Sequence, residues 1–291
     1  MLFRSFFTQY LAAGPKKNRA RAVVNIDHDR GRELAREITF PVIRVGHDAA
    51  SQVQALETGL NLSGIRTRIR TPRGTFALHS PLVGAHNLEN ILCAAGAAVA
   101  AGIENEVVRK GIEAVGCVPG RLEGVPDSLG RFVYVDYAHS PDALENVIRT
   151  LKPLGGARMI CLFGCGGDRD AGKRPLMGQI AARLCDLCVI TSDNPRSESP
   201  TAIINQILEG VRKQTDLFPY TSEMMKRGFD RRGYVVEPDR RSAISLAIGA
   251  SRPGDVVLLA GKGHETYQII GAETFDFDDR IEARNALGAH E

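Results

Sequence analysis

Residues 159–191 read MICLFGCGGDRDAGKRPLMGQIAARLCDLCVIT, and the pattern of this stretch decides the fold class. Met159–Phe163 is a continuous apolar run that breaks at glycines. A helical pattern follows from Arg174 to Leu184, and a second apolar run, Leu187–Thr191, closes the unit. Strands that are apolar throughout and separated by helices of about 10 to 15 residues must be covered on both faces, which predicts an α/β fold with a mostly parallel sheet. The same texture continues on either side. Strand candidates at Phe132–Val135, Tyr234–Val236 and Val256–Ala260 alternate with helical stretches at Pro141–Leu151, Pro200–Gly210 and Arg240–Ile248.

Upstream the texture changes at GCVPGRLEG, Gly116–Gly124, a Gly/Pro-rich stretch that predicts a domain boundary and divides the chain into residues 1–117 and 118–291. A length of 291 residues favours two domains over one. In the first part, Ala22–Ile26, Asp29–Glu37 and Val42–Val45 read as a strand, a helix and a strand. Leu60–Leu78 alternates around Gly64 and the Pro72-Arg73-Gly74 turn, as antiparallel strands do. Asn90–Ala101 (NILCAAGAAVAA) is small and apolar all round and predicts a helix buried on every side, with His86 leading into it and Asn87 as a cap. Asn105–Val115 predicts a more amphipathic helix.

Composition narrows the function classes. Lys plus Arg (37) nearly balances Asp plus Glu (34), a net charge of +3 that argues against nucleic acid or an anionic membrane as the main partner. No run approaches the roughly 20 apolar residues that cross a bilayer. The opening MLFRSFFTQYLAAG is interrupted by Arg4, Gln9 and Tyr10, unlike a signal peptide, so a cytoplasmic location is expected. The six cysteines are expected to be reduced core thiols, and Cys185-Asp-Leu-Cys188 lacks the second pair that a zinc site would need. No metal-ligand set is predicted. The Arg-rich stretch Lys226–Arg241 reads as a solvated loop around a short strand.

Polar clusters follow four of the strand candidates: Asp136-Tyr137-Ala138-His139, Gly164 to Asp170, Ser192-Asp193-Asn194-Pro195-Arg196, and Gly261-Lys262-Gly263-His264-Glu265. Open α/β sheets bind ligands at the carboxyl ends of their strands, so these clusters are expected to converge. Any one of them alone could be a turn or a helix cap. Gly167 to Lys173 fits G-x-x-x-x-G-K between a strand and a helix, yet Arg174 stands where a phosphate loop has Ser or Thr, and Asp168 and Asp170 would set carboxylates beside phosphates. The better reading is that Arg169 presents a planar fork to a ligand carboxylate. With Arg196 as a second fork, and Asp193 and Glu265 as ammonium acceptors, the clusters predict a site for a zwitterionic amino acid.

GAHNLENILCAAGAA, GRLE, VDYAHSPDALENV, LFGCGGDRDAGKRPLMG, SDNPRSESP and LLAGKGHETYQ occur in this order, and together they closely resemble the Mur ligase family over nearly the whole chain. D-N-P-R resembles the signature of its diaminopimelate-adding members rather than the lysine-adding ones. The resemblance implies the tail of a central ATPase-type domain followed by a Rossmann-like C-terminal domain with a mostly parallel sheet. It also implies a cytoplasmic amide-bond ligase of peptidoglycan synthesis that uses ATP and Mg²⁺. ATP would phosphorylate the D-glutamate γ-carboxylate of UDP-MurNAc-L-Ala-D-Glu, and the amine of meso-diaminopimelate would attack the acyl phosphate. Carried over by motif, Arg169, Asp193, Asn194, Pro195, Arg196, Gly261 and Glu265 match the amino-acid-binding positions. Asn90, Arg121 and Asp136 match positions that contact ATP.

The family's uridine-nucleotide domain, its G-T-N-G-K-T phosphate loop and its carbamylated lysine find no counterpart in these residues, and Met1 falls just past where that lysine would stand. The chain is therefore expected to correspond to the carboxyl-terminal half of such a ligase, and by itself to fold in its second domain without ligating. Two other functions fit the residues less closely: a non-catalytic amino-acid-binding or regulatory module, and a sister ligase of the folylpolyglutamate synthetase type, which shares the D-Y-A-H-type motif. Oligomeric state is not legible.

Overall fold

The computed structural model describes residues 2–288. The chain divides into two compact units, Met1–Gly116 and Cys117–Glu291, with the break inside the predicted Gly/Pro-rich stretch.

In the first unit α1 (Leu2–Ser5) runs into a π-helical turn, and β1 (Ala22–Asn25), α2 (Asp29–Glu37), β2 (Val42–Gly46), β3 (Val53–Ala55), β4 (Gly59–Asn61), β5 (Gly64–Thr71), β6 (Gly74–Ser80), α3 (Ala85–Ala100) and α4 (Asn105–Glu113) follow. The first three strands pair in parallel, and β5 then turns the sheet antiparallel by pairing with β3, β4 and β6. The core lies between this sheet and α3, where Leu88, Ile91, Leu92 and Ala95 meet Val45, Val53, Ile65 and Ile69. Two expectations fail here. The helix begins at Ala85 behind Gly84, so Asn87 lies inside it and donates from Nδ2 to the Val83 carbonyl at 2.8 Å instead of capping it. Nor is α3 buried all round, since Asn90, Ala94 and Ala97 are exposed. Alanine reads as apolar in a sequence but suits a solvated helical face equally well.

The second unit contains β7 (Glu123–Val125), β8 (Phe132–Asp136), α5 (Pro141–Leu151), β9 (Met159–Phe163), α6 (Lys173–Leu184), β10 (Leu187–Ile190), α7 (Pro200–Val211), β11 (Phe218–Tyr220), α8 (Ser222–Met225), β12 (Gly233–Val236), α9 (Arg240–Gly249), β13 (Val256–Ala260), β14 (Tyr267–Ile270), β15 (Glu273–Asp276) and α10 (Asp279–Gly288). Its seven-stranded sheet runs β11-β12-β10-β9-β13-β8-β7, parallel except for β7 at one edge, while β14 and β15 form a separate hairpin. The chain moves outward from β8 through β9 to β11 and returns with β13 between β9 and β8, the topological switch of a doubly wound sheet. As a result the four strands that end in polar clusters are neighbours, and their ends lie level: Ile190 pairs with Phe163, and Ala260 with Asp136.

The central strands β9, β10 and β13 are buried at every residue. Ser140 and Ser199 cap α5 and α7 through their side chains, each followed by proline in the first turn. Helices α6 and α7 touch backbone to backbone. A Cβ on Gly178 would lie 2.2 Å from the Ile207 carbonyl oxygen, and one on Gly210 would lie 1.8 Å from that of Pro175. This contact sets the spacing of the loops that precede the two helices.

Four cysteines (Cys161, Cys165, Cys185, Cys188) are buried thiols, whereas Cys93 is half-buried and Cys117 exposed. Burial pushes the Cys165 thiol up to about 12, so it is inert at neutral pH. The loop expected across Lys226–Arg241 is not wholly solvated, because Arg240 is 1% exposed and pairs with Asp279 at 2.7 Å. Among the described residues no helix is long and apolar enough to cross a membrane.

Candidate functional site

The carboxyl ends of β8, β9, β10 and β13 enclose a cleft of about 380 Å³. Tyr137 and His139 line it from the β8 end, and Gly166, Arg169, Asp170 and Lys173 from the β9 end. Asp193, Asn194 and Arg196 line it from the β10 end, and Gly261, Glu265 and Tyr267 from the β13 end. Six residues expected at an amino-acid site thus share one cavity: Arg169, Asp193, Asn194, Arg196, Gly261 and Glu265. Pro195 is buried behind it, its carbonyl oxygen so close to Gly167 that a Cβ there would lie 1.8 Å away.

The cleft has two electrostatic sides. On one, Asp193 and Glu265 flank Asn194, whose Nδ2 donates to Glu265 Oε2 at 3.0 Å. Gly261, at φ +115°, keeps the wall open beside Asp193, since even a Cβ there would lie 3.8 Å from Asp193 Oδ2. Asp193 Oδ1 is buried without a hydrogen-bond partner. On the other side, Arg169 is exposed at the mouth, and Arg196, held at φ +51°, donates from Nη1 to the Gly167 carbonyl at 2.8 Å. The backbone of Arg196 is bonded to the β14–β15 hairpin, accepting the Gly271 N–H and donating to the Ile269 carbonyl, which fixes the turn against the hairpin.

One residue here was not singled out from the sequence. Lys262 is fully buried beneath the acidic side. Its Nζ donates to Asn194 Oδ1 at 3.0 Å and to the Tyr267 carbonyl at 2.6 Å, and lies 3.4 Å from Asp193 Oδ1 and 3.8 Å from Glu265 Oε2. Burial pushes its pKa below the ordinary lysine value, while Asp193 and Glu265 oppose the shift. The available signal was a lysine between two glycines at a strand end, a position where a surface lysine has little reason to stand.

The Gly167–Lys173 loop is closed to phosphate. The Asp168 N–H donates to Glu198 Oε1 at 2.6 Å and the Gly172 N–H to Asp170 Oδ1 at 2.9 Å, while Lys173 Nζ donates to the His139 carbonyl at 2.8 Å. Carboxylates occupy the backbone donors that a phosphate loop would offer. Glu198 in turn accepts both terminal nitrogens of the buried Arg174, each at 2.8 Å, and these hydrogen bonds hold its carboxyl at about 2 instead of the ordinary 4.5. A carboxyl depressed in the folded state stabilises the fold above its unfolded pKa and loses that contribution as pH falls through the folded one. Protection of the Asp168 amide from exchange is therefore expected to persist below pH 4.5 and to fail only as pH approaches about 2. A carboxyl ¹³C titration of Glu198 with a midpoint near 4.5 would show that the clamp is not closed in solution.

The three residues matched to ATP contacts do not line this cleft. Asn90 lies in the other unit on the exposed face of α3, with its Nδ2 3.4 Å from Asn87 Oδ1. Arg121 is exposed, its guanidinium 5.2 Å from the centre of the Tyr137 ring. Asp136 accepts the Leu122 and Ala138 N–H groups, each at 2.8 Å, and so ties the residues beside Arg121 to the end of β8. Among the described residues no group of three or more His, Cys, Asp or Glu side chains converges as a metal site requires.

Two family models match the sequence: "Mur ligase middle domain" over residues 8–98 and "Mur ligase, glutamate ligase domain" over residues 120–263. The UDP-N-acetylmuramoyl-L-alanyl-D-glutamate--2,6-diaminopimelate ligase of Geobacter metallireducens is 49% identical over 281 residues, covering 97% of this chain and 55% of its own length. The enzyme of the same name from Geobacillus kaustophilus is 40% identical over 287 residues, 99% of this chain and 55% of that protein. The chain spans about half the length of the curated relatives it matches. A solved structure of a UDP-N-acetylmuramoyl-L-alanyl-D-glutamate--2,6-diaminopimelate ligase superposes with a TM-score of 0.65 at 33% identity, over 93% of this chain and 53% of the other. A folylpolyglutamate synthase of Mycobacterium tuberculosis shares the fold at a TM-score of 0.59 and 19% identity, over 92% of this chain and 55% of that one. With both domain models matched in order and relatives at this identity across nearly its whole length, the chain belongs to the Mur ligase family and carries its middle and glutamate ligase domains.

Proposed function

We propose that the cleft of the second unit is the amino-acid site of a ligase and that it takes meso-diaminopimelate. The full protein would join this amino acid to UDP-MurNAc-L-Ala-D-Glu with ATP as the phosphoryl donor. The observation that carries the reading is the pairing, in one cavity, of two guanidinium groups (Arg169, Arg196) with two carboxylates (Asp193, Glu265). The forks suit a carboxylate and the acids suit an ammonium. An ammonium between carboxylates stays protonated and is no nucleophile. The amine that forms the new bond must then lie at the other end of the substrate, which calls for a diamino acid. The relatives named above as 2,6-diaminopimelate ligases support this choice of substrate.

ATP would provide the phosphoryl group that turns the acceptor carboxylate into an acyl phosphate. Arg121 is suited to a phosphate oxygen, and Asp136 would position it through Leu122. A Mg²⁺ ion accompanying ATP would be held mainly by the phosphates and water, since among the described residues no three metal-ligating side chains converge to hold such an ion by themselves. The cleft residues bind and orient: Asp193 and Glu265 hold one amine, Asn194 positions Glu265 by donating to it, Arg169 and Arg196 hold the adjoining carboxylate, and the opposite amine is left directed away from the acidic pair.

The test is calorimetry of the chain with meso-diaminopimelate and with lysine. Arg169→Ala or Arg196→Ala is expected to weaken diaminopimelate binding by about 2 kcal/mol, roughly thirtyfold, since each removes a charge-assisted contact. Equal affinity of the unaltered chain for the two amino acids would overturn the reading.

A further inference from the structure

We infer that Arg174 and Glu198 form a positioning clamp that sets the distance between the Arg169 and Arg196 forks, and thereby selects an amino acid bearing a second carboxylate. The inference rests on the amino-acid reading of the cleft and deepens it.

Arg169 and Arg196 stand on separate loops, one leading into α6 and the other into α7. Arg169 is exposed, and its hydrogen bond from Nη1 to the Asp168 carbonyl is a long 3.5 Å, so this contact does little to fix it. What ties the loops together lies beneath them. Arg174, 1% exposed, donates from Nη1 to Glu198 Oε2 and to Gln206 Oε1 at 2.7 Å, and from Nη2 to Glu198 Oε1 and to the Gly166 carbonyl at 3.1 Å. Glu198, two residues after Arg196 on the second loop, also receives the N–H of Asp168, which immediately precedes Arg169 on the first. One carboxylate therefore joins both loops to a buried cation.

Asp168 carries the same stitch in the opposite direction. It sits at φ +53°, a left-handed conformation that is uncommon outside glycine and that Asp tolerates when its side chain is hydrogen-bonded locally. Its Oδ1 accepts the Ser197 Oγ at 2.6 Å and its Oδ2 the Ser197 N–H at 3.2 Å. The residue is thus clamped from the second loop while its own amide is clamped by Glu198. Arg169 is the next residue, and its direction follows from this geometry. Neither Arg174 nor Glu198 lines the cleft, so both act through the forks and not on the ligand.

Selectivity follows from the difference between the two candidate amino acids. Meso-diaminopimelate is lysine with a carboxylate on the carbon that bears the distal amine. In the orientation that leaves the α-amine free to react, both ligands offer their distal ammonium to Asp193 and Glu265, but only diaminopimelate offers a carboxylate adjoining it to the two forks. Loosening the clamp should cost diaminopimelate its extra contacts and leave lysine nearly untouched.

Glu198→Gln is the primary variant, because it keeps the shape while turning one acceptor into a donor facing Arg174 or the Asp168 amide. Ser197→Ala is the second, an exposed change that removes one stitch without stranding a buried charge. Calorimetry of the 291-residue chain with each amino acid, with thermal unfolding in parallel, provides the readout. The expected result is about a tenfold or greater loss of diaminopimelate affinity in Glu198→Gln with lysine affinity changed less than about threefold, and a smaller loss of the same kind in Ser197→Ala. Loss of both ligands in parallel, or a lowered melting temperature with an unchanged affinity ratio, would overturn the clamp as a selector while leaving the cleft's assignment intact. If the unaltered chain binds diaminopimelate no better than lysine, the amino-acid reading itself fails, and the inference with it.

Discussion

Asp279→Ala is expected to destabilise the second unit by about 3 to 5 kcal/mol, the largest effect on stability anticipated for a single residue here. Both partners of the Arg240–Asp279 pair have side chains with no solvent exposure. Arg240 Nη2 also donates to the Ala260 carbonyl at 3.0 Å and Nη1 to the Ser192 carbonyl at 3.5 Å. The guanidinium thus links α10 to the carboxyl ends of β13 and β10, the strands whose following loops carry Lys262, Glu265, Asp193 and Asn194. Burial by itself would push the Arg240 pKa down, but Asp279, aided by Asp193 and Glu265, more than reverses this and the group remains charged. Removing the carboxylate leaves a guanidinium that can neither be hydrated nor lose its proton. Urea unfolding of the chain measures the effect. A loss below about 1 kcal/mol would mean that water reaches the guanidinium and that this end of the sheet is open.

Lys262→Met is expected to abolish detectable amino-acid binding and to cost about 3 kcal/mol of stability, the lower end of the range for a buried pair broken on one side, because Asp193 and Glu265 retain some exposure. The lysine holds the site together through Asn194 Oδ1 and the Tyr267 carbonyl, and its charge is what lets two carboxylates stand close together without repelling one another apart. Methionine matches its length and apolar stem, so the loss is not one of packing. Because burial lowers the Lys262 pKa below the ordinary 10.5, the unfolded chain holds that proton more tightly than the folded one. The contribution of this lysine to stability should therefore rise as pH climbs towards 10.5, and the variant should lack that rise. Calorimetry and unfolding across that range are the measurements. A variant that binds diaminopimelate within about threefold of the unaltered chain would show that the acidic pair organises itself without the buried cation.

The alternation of apolar strands and capped helices made the second unit legible. Met159–Phe163 and Val256–Ala260 are strands at the residues their apolar runs mark, because a strand buried on both faces leaves no choice of composition. Short edge elements such as β7 and β11, the β14–β15 hairpin and α10 were not legible. The hairpin is half polar and α10 carries Asp279 and Glu282 in its buried face, so neither shows a clean period. Nor does burial of Arg174, Arg240 and Lys262 follow from local pattern, since a charged side chain is placed inside only by a partner far along the chain: Glu198, Asp279 and Asp193 stand 24, 39 and 69 residues away.

The same division holds at the site. Residue chemistry at the strand ends was sufficient to propose Arg169, Asp193, Asn194, Arg196 and Glu265 as neighbours, and Gly261 entered through the family resemblance, because an open parallel sheet brings its carboxyl ends to one side whatever the intervening helices contain. It was also sufficient to reject Gly167 to Lys173 as a phosphate loop, on the missing hydroxyl and the added carboxylates. What only the tertiary structure decided is which groups hold those side chains in place: the strand order that makes β10, β9, β13 and β8 neighbours, the lysine beneath the acidic pair, and the Arg174–Glu198 clamp between the forks. The physical reason is that composition and periodicity report how a residue meets its local environment, whereas the worth of a buried charge depends on an opposite charge within a few ångströms, and sequence separation carries no information about that distance.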